Sequence, residues 1–271
     1  MNISVLMSVY AKEKAQYLEK SIESMIKQTL SPKQIVIIKD GILTEELEKV
    51  LKKYKRKFPK LIDIYELEKK LGLGEALKYG IEKCKYEYVA RMDTDDIAPE
   101  YRLEEQAKIL KSNPELDIVG GYIEEYDENM KKLISIRKVP LTLEQIKKYI
   151  KNQSPFNHGT VIMKRETVLR VGNYSNIQIE DYDLWARMLI EGCKMANVDI
   201  VLGKNRTGKS MYKRRSGIKY IRKIIEIENK LLEYKIIDKI TYLKNVTIRS
   251  IVAILPVGLK KIVYKEIIRK I

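Results

Sequence analysis

The first 92 residues alternate short apolar runs with amphipathic stretches, and this alternation constrains the fold more than any other feature of the chain. Residues 3–9 and 35–38 are apolar runs of strand length, and residues 61–67 and 86–92 read as a third and a fourth strand. Between them, Leu18, Ile22, Met25 and Thr29 recur at helical spacing until Pro32, residues 43–54 form a charged amphipathic stretch, and residues 73–84 read as a third helix. Runs of this kind suit strands buried on both faces. Their alternation with helices over short links predicts a parallel sheet covered on both sides. In such sheets ligands bind beyond the carboxyl ends of the strands. That rule singles out Tyr10, Asp40 and residues 93–96.

The pattern then changes. Residues 99–112 read as a helix, with Pro99 near its start and Pro114 past its end. Residues 117–126 and 132–139 flank a turn at Asp127-Glu128-Asn129-Met130 and predict a hairpin. A helix is expected over 143–150, a strand over 158–163, a helix from Glu180 through Trp185 and Met188, and a last strand over 195–201. Residues 217–271 read as two or three basic amphipathic helices, with the natural boundary near Gly203 to Gly217.

Composition bounds the function. A chain of 271 residues with 45% hydrophobic side chains is long and apolar enough for one large domain, or one domain with an appendage. Two cysteines, Cys84 and Cys193, cannot build a disulfide framework or a cysteine zinc site, and one histidine, His158, leaves no histidine metal cluster. Charge is placed unevenly. Residues 203–271 hold 19 Lys and Arg against 5 Asp and Glu, whereas residues 1–202 hold 34 against 32. A general lysine bias would not spare the first 202 residues. The tail is therefore expected to meet an anionic surface, nucleic acid or acidic phospholipid being the two candidates. Its longest apolar run, 251–259, is broken by Pro256 and Gly258 and falls short of the roughly 20 residues of a membrane span. The N-terminus reads as a first strand with no basic leader, so a cytoplasmic location is expected.

Arg91-Met92-Asp93-Thr94-Asp95-Asp96 is the sharpest chemical signal. Three carboxylates within four residues repel one another, and a cation relieves that repulsion. Carboxylate and water ligands suit Mg²⁺ or Mn²⁺, ions that usually bring phosphate oxygens with them. The competing role is a helix cap, and both can hold if Asp96 caps the following helix while Asp93 and Asp95 face a ligand. Asp40-Gly41 offers either a turn or a carboxylate for a nucleobase or ribose. The glycines of Leu71-Gly72-Leu73-Gly74 permit close backbone approach to a phosphate, or simply a turn. Glu180-Asp181 is either a cap or the source of a general base. Trp185 is either a sugar-stacking ring or a core residue. Tyr212-Lys213-Arg214-Arg215 can clamp a diphosphate or start the basic tail.

Taken in order, Val5-Leu6-Met7-Ser8-Val9-Tyr10, Asp40-Gly41, Ala90-Arg91-Met92-Asp93-Thr94-Asp95-Asp96 and Glu180-Asp181-Tyr182-Asp183-Leu184-Trp185 resemble family 2 glycosyltransferases over about residues 1–205. Pro155-Phe156-Asn157-His158 and Met211-Tyr212-Lys213-Arg214-Arg215 are similar to segments of the bacterial exopolysaccharide and amylovoran-type branch. The resemblance implies an α/β fold of the glycosyltransferase A type, a Rossmann-like mixed sheet flanked by helices. It implies a catalytic domain over residues 1–205, here followed by a basic helical tail over 206–271. It further implies a nucleotide-diphospho-sugar donor, UDP-linked, and inversion at the anomeric carbon. Asp181 matches the catalytic base, and Asp95 the main ligand of Mn²⁺ or Mg²⁺ with Asp93 beside it. Tyr10, Asp40, Arg91, Asp93 and Arg214 form the candidate donor-binding set. The implied acceptor is a glycan or a polyprenyl-linked sugar, which places the tail at an anionic membrane surface and not on nucleic acid.

The chain departs from the family pattern at Lys39-Asp40, where many relatives carry an acidic pair, and at Lys70-Leu71, where many carry Asn. It lacks the Gln-X-X-Arg-Trp motif of processive polymerases, which argues for addition of a single sugar. Three other readings compete, one of them a nucleic-acid-binding protein, which would explain the basic tail but not the acidic cluster. A sugar nucleotidyltransferase needs a glycine-rich loop after its first strand, where this chain has Ser8-Val9-Tyr10-Ala11-Lys12-Glu13. A non-catalytic nucleotide-sugar-binding relative is the third. In the tail, Leu259, Ile262, Val263, Ile267 and Ile271 share a helix face, with Lys260, Lys261, Lys265 and Arg269 around the other side. Such a helix either lies in a headgroup layer or packs on the catalytic domain.

Overall fold

The computed structural model describes residues 1–208 and 215–256. The candidate Arg214 and the tail stripe from Leu259 to Ile271 lie outside the described residues. Strand β1 (Ile3–Val9) is buried along its whole length, as its unbroken apolar sequence demands. It pairs in parallel with β2 (Gln34–Asp40) on one side and β4 (Tyr88–Arg91) on the other, and β2 pairs in parallel with β3 (Ile62–Leu67). Helices α1 (Ala15–Ile26), α2 (Glu45–Lys57) and α3 (Leu73–Lys83) make the crossovers. The ends of α2 are set by sequence. The Thr44 hydroxyl accepts from the Leu47 amide, acids fill the first turn, and Lys55, Arg56 and Lys57 fill the last.

Alternate residues of each strand feed opposite layers. Val5 and Met7 of β1 join Leu18, Ile22, Leu47 and Leu51 beneath α1 and α2. Leu6 of β1 and Val36 and Ile38 of β2 join Leu77, Ile81 and Trp185 on the other face.

Beyond β4 the sheet becomes mixed. Helix α4 (Arg102–Ser112) precedes β5 (Ile118–Tyr126) and β6 (Leu133–Arg137), which form the expected hairpin. Helix α5 (Leu143–Tyr149) opens with a capping box between Thr142 and Gln145. The strand expected over 158–163 splits: His158–Thr160 form a 3-10 turn, and only β7 (Ile162–Lys164) joins the sheet, antiparallel between β4 and β5. The turn is closed by the Thr160 amide and hydroxyl, both donating to Asn157 O. After α6 (Arg165–Arg170) and α7 (Glu180–Ile190), β8 (Met195–Arg206) runs five residues past its expected end, following β5 in parallel through two register shifts.

Two further helices follow, α8 (Gly217–Glu233) and α9 (Lys239–Ile254). Ile227 and Leu231 of α8 belong to the same buried cluster as Trp185. Helix α9 packs on α8 around Glu228, which is fully buried, accepts from Asn245 Nδ2 at 3.0 Å and pairs with Arg249 at 3.0 Å. Among the described residues, no helix is long and apolar enough to cross a membrane.

The shared cluster makes α8 part of one cooperative core. Leu231→Ala is expected to lower stability by about 3 kcal/mol. Denaturant unfolding followed by Trp185 fluorescence and by far-ultraviolet circular dichroism should give coincident single transitions; separated midpoints would show that the helices unfold on their own.

Candidate active site

The candidate residues gather at the carboxyl ends of β1, β2 and β4 and at the start of α7. Tyr10 follows β1, and the Lys70 ammonium lies 4.8 Å from its ring centroid. Asp40 ends β2 and is buried. Its carboxylate accepts from the Leu71 amide at 2.7 Å and from the Gly72 amide at 3.1–3.2 Å. The amides that the glycine segment offered to a phosphate are therefore engaged by the chain's own carboxylate. Gly72 takes φ +101°, the left-handed region that a side chain would resist. Gly74, in the first turn of α3, has no room for a side chain: an added Cβ would lie 2.5 Å from Ser175 O and 3.3 Å from Glu180 Cβ. The loop held by Asp40 thus leads directly to the start of α7.

Arg91 is the buried centre. Its guanidinium donates to Asp93 Oδ1 at 2.6 Å, to Met92 O, and to Leu6 O at 3.4 Å. Arg102 backs it, donating to Arg91 O at 2.7 Å. The Asp93 carbonyl accepts from Ser21 Oγ of α1 at 2.7 Å. The Thr94 hydroxyl lies within hydrogen-bond distance of Ser8 O and Glu13 Oε2, 3.3 and 3.0 Å away, tying the acidic turn to the end of β1.

Asp96 does not cap α4. That helix starts at Arg102, six residues on, and Asp96 instead accepts the Arg206 amide of β8 at 2.9 Å. Burial, followed by repulsion from Asp95 and Asp93, holds its carboxyl well above the usual carboxylate range. The negative potential that Asp93 and Asp95 impose there is the setting a divalent cation would neutralise, so these residues fit such an ion. Among the described residues, no group of three or more His, Cys, Asp or Glu is placed to hold a metal ion by itself.

The second acidic group faces the first. Glu180 is buried, and burial followed by the neighbouring Asp181 pushes its carboxyl up to about 8, with Arg91 and Asp93 also acting on it. His158 lies within electrostatic reach of both groups. Its Nε2 lies 2.9 Å from the Tyr174 hydroxyl. Burial and then the Arg91 guanidinium pull the imidazole down to about 4, against opposing effects of Asp181 and Asp93. Gly159, the next residue, lies so close to Asp93 that an added Cβ would sit 2.8 Å from Oδ2. Trp185 is fully buried, 5.2 Å from Phe156 and 6.0 Å from His158 between ring centroids. It is a core residue that carries His158 on its edge, not a stacking platform for a sugar.

Sequence reasoning missed the residues that hold α7. Asp183 is buried, accepting from Ser175 Oγ at 2.6 Å, Arg187 Nε at 2.9 Å and the hydroxyl of Tyr234, which caps the end of α8, at 2.9 Å. Arg187 also donates to Asn173 O at 2.7 Å and to Val171 O. The loop so fixed carries Tyr174. The only signal in the sequence was the third acid of Glu180-Asp181-Tyr182-Asp183; nothing local announced Tyr234.

This architecture matches glycosyltransferases of the A-type fold. A mannosyltransferase from Pyrobaculum calidifontis, solved with GDP-Man and Mn²⁺, superposes with a TM-score of 0.66 at 14% identity, covering 92% of this chain and 69% of that one. Residues 1–349 of S. aureus TarS, solved with UDP-GlcNAc, superpose with a TM-score of 0.66 at 17% identity over 91% and 70%. Residues 4–172 match the model of glycosyl transferase family 2. The chain belongs to that family of inverting enzymes, and it is a glycosyltransferase. It is 36% identical over 268 residues to the UDP-Gal:alpha-D-GlcNAc-diphosphoundecaprenol beta-1,3-galactosyltransferase of Escherichia coli, covering 98% of this chain and 96% of that protein. It is equally 36% identical over 264 residues to the amylovoran biosynthesis glycosyltransferase AmsE of Erwinia amylovora, covering 97% and 98%.

Two measurements check the geometry. Gly159→Ala is expected to displace the Asp93 carboxylate, lowering turnover at least about tenfold while the melting temperature barely moves. The second concerns pH. His158 stays neutral in the folded chain down to about 4, but takes a proton near its ordinary value of about 6.5 once unfolded. Between these pH values the unfolded chain binds more protons, so stability falls as pH falls, by up to about 3 kcal/mol. Glu180 acts oppositely, its contribution being lost as pH rises through about 8. Urea titrations of wild type and His158→Gln with chelator present should differ by a gap that narrows from pH 6.5 to 4; a constant gap would contradict the burial of this imidazole.

Proposed function

We propose that this glycosyltransferase moves a single hexose, with inversion, from a UDP-linked donor to a lipid-linked glycan acceptor in cell-surface polysaccharide synthesis. The observation that carries this reading is the convergence of Asp93 with Glu180 and Asp181 around Arg91 and His158. The donor and acceptor classes are supported by the name of the Escherichia coli relative, which matches over nearly the full length of both chains.

Tyr10 and Asp40 line the nucleobase end of the donor pocket. The Asp40 oxygens keep acceptor capacity beyond the two amides that they bind, enough to receive a base or ribose donor group. Arg91 sets the Asp93 carboxylate, and contact with the diphosphate is the role proposed for Arg214 from its basic segment. Asp95, with Asp93, would hold Mn²⁺ or Mg²⁺, which supplies positive charge to the leaving diphosphate when bound. Asp181 accepts the proton of the acceptor hydroxyl as its oxygen attacks from the face opposite the diphosphate. Glu180, kept protonated at neutral pH by its burial, offers a hydrogen-bond donor beside that base instead of a second charge. The acceptor is met at an anionic membrane surface.

Replacing the base separates chemistry from binding. Asp181→Asn is expected to lower transfer about 10²- to 10⁴-fold while the affinity for UDP-sugar is retained. Asp95→Ala is expected to abolish both transfer and the metal-dependent part of donor affinity. Transfer assays paired with calorimetry on UDP-hexoses, with and without chelator, check both. An Asp181→Asn enzyme that turned over at the wild-type rate would remove the base from this scheme.

A further inference from the structure

Among the described residues, nothing covers one side of helix α9. Tyr242, Asn245, Arg249 and Ala253 turn toward the protein, where Asn245 donates to Lys151 O at 2.8 Å and to Glu228. On the other side Ile240, Leu243, Ile248, Ile251 and Ile254 are between 51% and 79% exposed. At about 100° per residue these five fall within an arc of about 140°. Only Lys244 and Thr247 share it. Single exposed aliphatic residues need no explanation, but five on one stripe form a patch.

We propose that this stripe is the surface by which the protein docks on an anionic phospholipid bilayer. The inference deepens the lipid-linked acceptor of the proposed function and rests on that reading for its purpose. Charge selects the occupant. Helix α9 contains Lys239, Lys244 and Arg249 and no acid, and residues 203–271 carry a surplus of 14 positive charges. A second copy of the chain would bring the same positive field against itself, whereas acidic headgroups are attracted to it. The helix has 16 residues, short of the roughly 20 of a span, so it lies in the headgroup layer with its aliphatic side chains inserted. Its grip on the body is firm. Arg249 and Asn245 bind the buried Glu228, and Tyr234 at the end of the preceding helix binds Asp183 beside the catalytic turn. The bilayer plane is therefore fixed relative to the cleft.

Full-length protein is sedimented with vesicles of phosphatidylcholine alone or with phosphatidylglycerol added. Wild type is expected to pellet with the acidic vesicles and far less with the neutral ones. A variant carrying Ile240→Ser, Leu243→Ser, Ile251→Ser and Ile254→Ser should bind acidic vesicles about tenfold less, or weaker still, with unchanged circular dichroism and donor hydrolysis. Lys239→Glu with Lys244→Glu should erase the preference for acidic lipid. Equal pelleting of the serine variant would overturn the proposal. So would sedimentation velocity showing a wild-type dimer that the same variant converts to monomer, because a second copy would then own the face. Vesicle binding needs neither donor nor acceptor. A chain that pellets but transfers no sugar refutes the catalytic reading alone, and one that transfers to a detergent-dispersed acceptor without pelleting refutes the docking face alone.

Discussion

The buried guanidinium of Arg91 holds together a site otherwise crowded with like charge. It pairs with Asp93 and acts electrostatically on His158, Tyr174 and Glu180. A buried cation is tolerable only when its hydrogen bonds and counter-charge are in place, and removing one member of such a pair costs about 3–5 kcal/mol. Here the partners are backbone carbonyls at Leu6 and Met92 and one oxygen of Asp93. The same group that orients the acidic turn thus depends on the strand ends being in register. Sheet and site are one structure.

Environment sorts the carboxylates into different roles. Asp96, deeply buried beside two other acids, takes the amide of Arg206 and has its carboxyl raised far above the usual range. Asp93 keeps an exposed edge and a cationic partner. Glu180 is buried against Asp181 and is raised to about 8. Sequence proximity alone would have treated these groups as equivalent; their burial and their charged neighbours make them different.

The parallel half of the sheet was legible because β1 and β2 are built on apolar runs and amphipathic helices separate the strands, α2 with its own start signal at Thr44 and Leu47. The ends of those strands, and so Tyr10, Asp40 and Asp93, could be located from periodicity alone. The second half was less legible. Residues 158–163 are apolar enough for a strand, yet Asn157 captures Thr160 and curls the chain before β7 begins. Asp96 looked like a cap because caps are read from neighbours in sequence, whereas its partner lies 110 residues away on β8. Trp185 had an ambiguous sequence context, and only the packing of Phe156 and His158 decides it. Contacts such as Tyr234 to Asp183, between elements with no local signature for each other, leave nothing in the sequence to read.

That last contact bears on how such a protein can be divided. The match to the family model ends at Gly172, before α7 begins. A fragment cut there would keep every acid of the β4 turn and lose the opposing pair. One cut after β8 would regain the pair but leave Asp183 short of the Tyr234 hydroxyl, and the cluster around Trp185 without Ile227 and Leu231. Helices that look like an accessory supply part of the packing behind α7.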